Sequence, residues 1–455
     1  MHGGWSCTAF FCDPFVTPPV CDTKDASMTL TLSRRAFIGS AGALGSVALA
    51  GDLKAVDAVA EPLPVAAVVT TYTRNSHADV ILGKILAGWR QDGGAGPALR
   101  LVSLYVDQVG AGDLSADLAK QYGFKRTQSI AEAVTLGKAT LPVAGVISIG
   151  EHGDYPLTEV TQQRQYPRRR FFDEIVAAMQ RCGTFAPIFN DKHLGYRWQD
   201  AKHMYDTSAQ HQIPLLAGSS LPVAWRYPAK LLPPESVIDE ALVIGYGGHE
   251  AYGFHALEAL QSIVERRRGG ETGVAAVTTL RGQQILEAAG QGRWSVDLLR
   301  AAAASAEQKM KPLEQHVNEG SALFVIEYRD GMRAAVAMLQ GFGETFAAAC
   351  RLRGEAQPFR AWFRLEYERP YGHFEHLVRA IESMLHTKMP PYAVERTLLT
   401  TGILDRAMQS RTQPGTRLPT PELRIAYQSS NWPFANQHGE NFPQAPQDEP
   451  SKPSR

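Results

Sequence analysis

Cysteine is scarce: five occur in 455 residues, and three of them (Cys7, Cys12, Cys21) precede Met28. The remaining Cys182 and Cys350 allow one disulfide at most and no cysteine-based metal framework. Net charge is also missing, because 46 Lys and Arg balance 46 Asp and Glu. Without a long-range field, neither nucleic acid nor an acidic membrane surface is an expected partner. The body holds no apolar run near the roughly 20 residues that span a bilayer, and no internal repeat. What is present, a hydrophobic fraction of 44%, is that of a globular protein. The length favours two domains over one core.

The first 60 positions read as a leader. Ser33-Arg34-Arg35-Ala36-Phe37-Ile38 is a twin-arginine signal, followed by an apolar Gly/Ala stretch from Gly39 to Ala50 and a small-residue cleavage site at Ala58-Val59-Ala60. This order predicts recognition by the twin-arginine export machinery and residence in the periplasm. Met28 is then the natural start, and residues 1–60 contribute nothing to the mature fold. That route carries folded proteins, so any cofactor would travel inside the chain and stay tightly bound.

From residue 61 to 221, short apolar runs alternate with helical patterns, which predicts a doubly wound, Rossmann-like parallel sheet. The runs are Val65–Val69, Leu99–Val106, Val143–Gly150, Ala186–Phe189 and Ile213–Ala217. Such sheets bind ligands beyond the carboxyl ends of their strands. Two polar clusters fall there: Glu151-His152-Gly153-Asp154-Tyr155 and Asn190-Asp191-Lys192-His193. The helix between them opens Tyr166-Pro167-Arg168-Arg169-Arg170, and the arginine run reads as a solvated helix face. Residues 222–428 change character. Gly245-Tyr-Gly-Gly248 opens a helix bearing His249, Glu250 and His255, and Arg329-Asp330-Gly331 joins two period-2 strands as a hairpin. This half reads as an α+β domain on a mostly antiparallel open sheet. The Gln-, Asn- and Pro-rich segment 429–455 reads as an extended or disordered tail.

This order of elements resembles the Gfo/Idh/MocA oxidoreductases, a family that includes glucose–fructose oxidoreductase and inositol dehydrogenase. The resemblance covers most of residues 65–427. Lys192 takes the place of the lysine in the family's Glu-Lys-Pro turn, and Gly218-Ser219-Ser220 takes that of its Gly-His-Asn turn. Ala251-Tyr252-Gly253-Phe254-His255 matches Asp-x-Gly-x-His with Ala251 in the Asp position. The resemblance implies an enzyme acting on a carbohydrate or polyol with NAD(P), and a homo-oligomer pairing through the second sheet. It makes Lys192 and His255 the catalytic pair; His152 and Asp154, ionisable groups at a strand end, are read from the residues themselves as further acid–base candidates. Thr70, Tyr72, Asp107 and Glu151 become the cofactor contacts, with Asp107 at the ribose. Tyr155, Asp191, His193, His249 and Glu250, by their own chemistry and position, are the candidate substrate contacts in the same crevice. The family's glycine-rich loop after the first strand is replaced by Thr70-Thr71-Tyr72-Thr73-Arg74-Asn75, with none of the glycines that let backbone approach a pyrophosphate.

Two other readings stand beside this one. Glu151, His152, Asp154, Asp191 and His193 could hold a divalent metal or act as acids and bases in a nucleotide-free hydrolase or lyase. The chain could also be an exported sugar-binding protein without catalysis.

Overall fold

The computed structural model describes residues 61–339 and 344–439. The twin-arginine segment, its cleavage site and the last part of the tail lie outside the described residues. Six strands form the first sheet: β1 (Leu63–Val69), β2 (Leu99–Val106), β3 (Lys125–Thr127), β4 (Gly145–Ile149), β5 (Ile188–Asp191) and β6 (Leu215–Gly218). Their order is β3-β2-β1-β4-β5-β6, and each neighbouring pair is parallel. All five residues of β4 are buried, as expected for a strand covered on both faces. The covering helices are α1 (His77–Ala87), α2 (Ser115–Tyr122), α3 (Ile130–Thr135), α4 (Arg168–Arg181) and α5 (Trp198–Gln210). The strand order reverses between β1 and β4, which opens the crevice at their carboxyl ends.

The second half contains β7 (Trp225–Tyr227), β8 (Ile238–Gly245), α6 (Ala251–Val264), β9 (Val274–Arg281), α7 (Gln283–Gly290), α8 (Val296–Ser305), β10 (Ala322–Tyr328), β11 (Arg333–Met338), β12 (Phe346–Leu352), β13 (Phe359–Arg364), α9 (His373–Thr387), α10 (Glu395–Ser410) and β14 (Arg417–Pro419). Its sheet runs β14-β9-β10-β11-β8-β12-β13-β7, antiparallel except at β8–β11. The β10–β11 hairpin turns at Arg329-Asp330-Gly331, with Gly331 at φ 89°, a conformation open to glycine at no steric cost.

Three packing features place the site. A continuous core joins α4 and α5 of the first sheet to α6 and α10 on the second, through Phe171, Trp198, Leu257, Phe254 and Leu404. It fixes the first sheet's strand ends against α6. Helix α9 returns to the first sheet, where Leu377, Ile381 and Leu385 pack with Val65, Ala67 and Ile147. The first domain's core is thus completed from the C-terminal half. On the outer face of the second sheet, α7 and α8 bury Ile285, Leu298 and Leu299 against Leu242, Leu323 and Ala347. The face that the resemblance gives to oligomer pairing is covered by the chain's own helices.

The segment beyond residue 428, read as an extended tail, is tied down as far as residue 439. Phe434 is buried, and Asn436 Oδ1 accepts from the Arg226 backbone N–H at 2.8 Å. Among the described residues no helix is long and apolar enough to cross a membrane.

Candidate active site

Strand ends supply the polar groups. β4 exits into Gly150-Glu151, β5 into Asp191-Lys192-His193, and β6 into Gly218-Ser219. Gly218 has φ 125°, and a Cβ there would stand 2.6 Å from Glu258 Oε2 and 2.7 Å from Thr397 Oγ1. Only glycine admits that approach of α6 and α10 to the strand end. Lys192 has φ 67°, the left-handed region that costs a non-glycine residue energy. It is held there by its backbone N–H donating to Gly218 O at 3.1 Å. Helix α6 brings His255 across from the second domain.

The side chains form a connected row. Lys192 Nζ donates to His255 Nε2 at 2.7 Å, and His255 Nδ1 donates to Ser219 Oγ at 2.6 Å. Glu151 Oε1 lies 3.5 Å from Lys192 Nζ, and its other oxygen accepts from Arg168 at 2.5 Å. Arg168, fully buried, also donates to His193 Nε2 at 2.9 Å and lies over the Tyr166 ring. Burial alone would raise the Glu151 carboxyl, but Lys192 and Arg168 outweigh it and hold the group well below the usual carboxylate range. Burial, reinforced by Lys192, keeps the His255 ring neutral. Burial and Arg168 do the same to His193. Glu250, the residue before α6, accepts from the Arg164 backbone N–H at 2.8 Å. Its Oε1 faces His193 Nε2 at 3.9 Å. Burial pushes this carboxyl up to about 7, against the pull of the Arg164 N–H and Arg168. The arrangement combines a neutral imidazole base, an adjacent ammonium and a carboxyl poised near neutrality.

Other expected site residues are placed differently. Asp191 is buried with its Oδ2 2.7 Å from His77 Nδ1, a partner that the sequence did not single out. His152 is exposed, its ring 5.5 Å from that of His77. Asp154 is exposed too, and its backbone is clamped from both sides by Gln108 at 2.8 Å. His249 is bonded to Gly320 O at 2.9 Å instead of joining the row. Arg168 corrects the solvated-face reading of the arginine run: it is the most deeply buried charge of the site, while Arg169 and Arg170 make half-exposed ion pairs with Asp200 and Asp107. Among the described residues no group of three or more His, Cys, Asp or Glu is arranged to hold a metal ion. The five candidate ligands are spent on Arg168, Lys192 and His77 or face solvent.

No protein-family model matches the sequence, and no curated protein matches it. Solved structures do. GenD2 from gentamicin A biosynthesis, in complex with NAD, aligns over 79% of this chain and 97% of its own, with TM-score 0.50 and 14% identity. The chain has the two-domain fold of the Gfo/Idh/MocA-type dehydrogenases. Scyllo-inositol dehydrogenase from Lactobacillus casei aligns at TM-score 0.47 and 9% identity, over 79% of this chain and 98% of that one. WlbA dehydrogenase from Bordetella pertussis, in complex with NADH and UDP-GlcNAcA, does so at 0.46 and 13%, over 79% and 99%.

In a fold of this dehydrogenase type, a dinucleotide's pyrophosphate would rest on the β1–α1 loop and the start of α1. That position carries the chain's own polar groups here. Ser76 Oγ accepts from the Asp79 N–H at 3.3 Å. Asp79, itself buried, accepts from Asn75 N at 2.9 Å and pairs with Arg369 at 2.9 Å. A serine cap and a buried, ion-paired carboxylate thus stand at the start of α1. Tyr72 is fully buried in the loop. Thr70 Oγ1 donates to Glu151 O at 2.5 Å. Asp107 is engaged on both oxygens, by Tyr155 at 2.6 Å, Tyr105 at 2.9 Å and Arg170 at 2.6 Å. Gly153 packs so closely on Gln108, Tyr155 and Thr71 that a Cβ would stand within 3.1 Å of each. The segment after β4 therefore lies over the ends of β1 and β2. Thr70, Tyr72, Asp107 and Glu151 are each engaged within the chain and present no glycine-rich cradle to NAD(P).

Proposed function

We propose that the chain is an enzyme acting on a carbohydrate or polyol by proton transfer at a hydroxyl- or carbonyl-bearing carbon, with Lys192 and His255 as the reacting pair. The observation that carries this reading is the 2.7 Å contact between Lys192 Nζ and His255 Nε2, with Ser219 fixing the other ring nitrogen. A substrate with a carbonyl beside a hydroxyl-bearing carbon would meet an ammonium able to stabilise the carbonyl oxygen and an imidazole able to take the proton from that carbon, giving an enediol to which a proton is returned. Glu151 and Arg168 keep the ammonium in place. Glu250 and His193 supply a second acid–base pair in the same crevice.

An oxidoreductase reaction is the second reading, favoured by the fold shared with NAD-bound GenD2. It requires NAD(P) to be seated with the segment after β4 displaced. Export through the twin-arginine machinery to the periplasm belongs to the same proposal, supported by Ser33-Arg34-Arg35 and the residues that follow it.

The test is proton NMR in D₂O on a panel of aldoses, uronic acids, polyols and glycosides, with no cofactor added. Wild-type protein is expected to exchange a carbon-bound proton or form product on at least one of them, and His255→Asn is not. Turnover only after addition of NAD(P) transfers the case to the second reading. Equal turnover by wild type and His255→Asn removes the proposed pair.

A further inference from the structure

Beside the Lys192–His255 pair the second domain carries aromatic surface that the proton-transfer reading does not use. Tyr252 stands one helical turn before His255 on α6, so both project from the same side of the helix. It is 39% exposed, and Tyr367 is 52% exposed. The Tyr252 ring is stacked at 10° on Phe346 with centroids 6.4 Å apart, and lies 6.2 Å from the His255 ring. Tyr246 sits against it at 4.8 Å. The Gly247 backbone passes so close that a Cβ there would be 2.9 Å from the Tyr252 ring. The hydroxyls on the other two rings are satisfied: Tyr246 and Tyr367 are hydrogen-bonded to each other, and Tyr367 also donates to Glu344 O at 2.9 Å.

The rings are therefore held in fixed orientations, and two of them present area to solvent at the edge of the reacting pair. Exposed, rigidly held aromatic rings beside polar groups suit a binding surface. A pyranose matches it, having an apolar C–H face to lie on a ring and a rim of hydroxyls to meet the polar edge.

We propose that Tyr252, Tyr246 and Tyr367 form a stacking subsite for the sugar residue joined to the one held at Lys192 and His255, so that the ligand is a glycoside or oligosaccharide instead of a free monosaccharide. This rests on the carbohydrate reading above. Covering one ring face with a pyranose raises affinity about tenfold.

Isothermal titration of the full chain with cellotriose and chitotriose, against glucose and N-acetylglucosamine, tests it. At least one trisaccharide is expected to bind about tenfold more tightly than its monosaccharide. Tyr252→Ala is expected to remove that advantage, and Tyr252→Trp to keep it. Tyr252 is exposed, so an unchanged thermal midpoint will show that the variants fold. Monosaccharide binding with no gain from the longer chain, or a gain that survives in Tyr252→Ala, overturns the subsite and leaves the reacting pair standing. No binding of any of the four sugars overturns both for this substrate class.

Discussion

Lys192 is held in the left-handed region at φ 67°, and that local cost aims its ammonium at His255. The residues around it are arranged so that removing one leaves another charged and buried. Glu151 and Arg168 are the clearest case, with side chains 7% and 0% exposed. Arg168→Met is expected to destabilise the fold by about 3–5 kcal/mol, because it strands a buried carboxylate. Urea unfolding measures this, and a loss below about 1 kcal/mol would assign Arg168 to the solvated class after all. Glu250 gives a signed pH prediction. Its carboxyl is raised in the fold, so the native state binds a proton that the unfolded chain releases, and the stability tied to it is lost as pH rises from about 4.5 towards about 7. Glu250→Gln, which mimics the protonated form, is expected to raise the unfolding midpoint at pH 8 and leave it unchanged at pH 5. Equal effects at both values would show that Glu250 does not titrate in that window. Lys192 and His255 were legible in the sequence because strand ends and a His-bearing helix mark them. Arg168 was not, because its depth depends on a carboxylate 17 positions away.

Elements follow the same division. β2 matches its apolar run from Leu99 to Val106, and the hairpin at Gly331 follows from its turn residues. β12 was missed because Phe346-Ala-Ala-Ala-Cys-Arg-Leu is rich in the strongest helix former. Pairing with β8 and β13 makes it a strand, an override of propensity by tertiary context. Helices α7 and α8 were missed as well, and they change the expectation for assembly. They bury the outer face of the second sheet, so Leu299, fully buried there, is a core residue and not an interface residue. Leu299→Ala is expected to cost about 2–5 kcal/mol, with an unfolding midpoint independent of protein concentration. A midpoint that moves with concentration would place this face between subunits instead.

Across the whole molecule, the doubly wound sheet and the mostly antiparallel second sheet were legible from periodicity and order of elements. The closure of the nucleotide groove was only half visible. Missing glycines announced it, but the Ser76–Asp79 cap and the packing of Gly153 on Thr71 depend on contacts between three separate loops. The chain has a dehydrogenase-type fold in which Lys192 and His255 stand in contact and the start of α1 carries Ser76 and Asp79 in place of a glycine-rich loop. Mass spectrometry of the small molecules released on denaturing natively produced full-length protein tests this most directly. The account predicts neither NAD nor NADP in the released fraction. One dinucleotide per chain would contradict it.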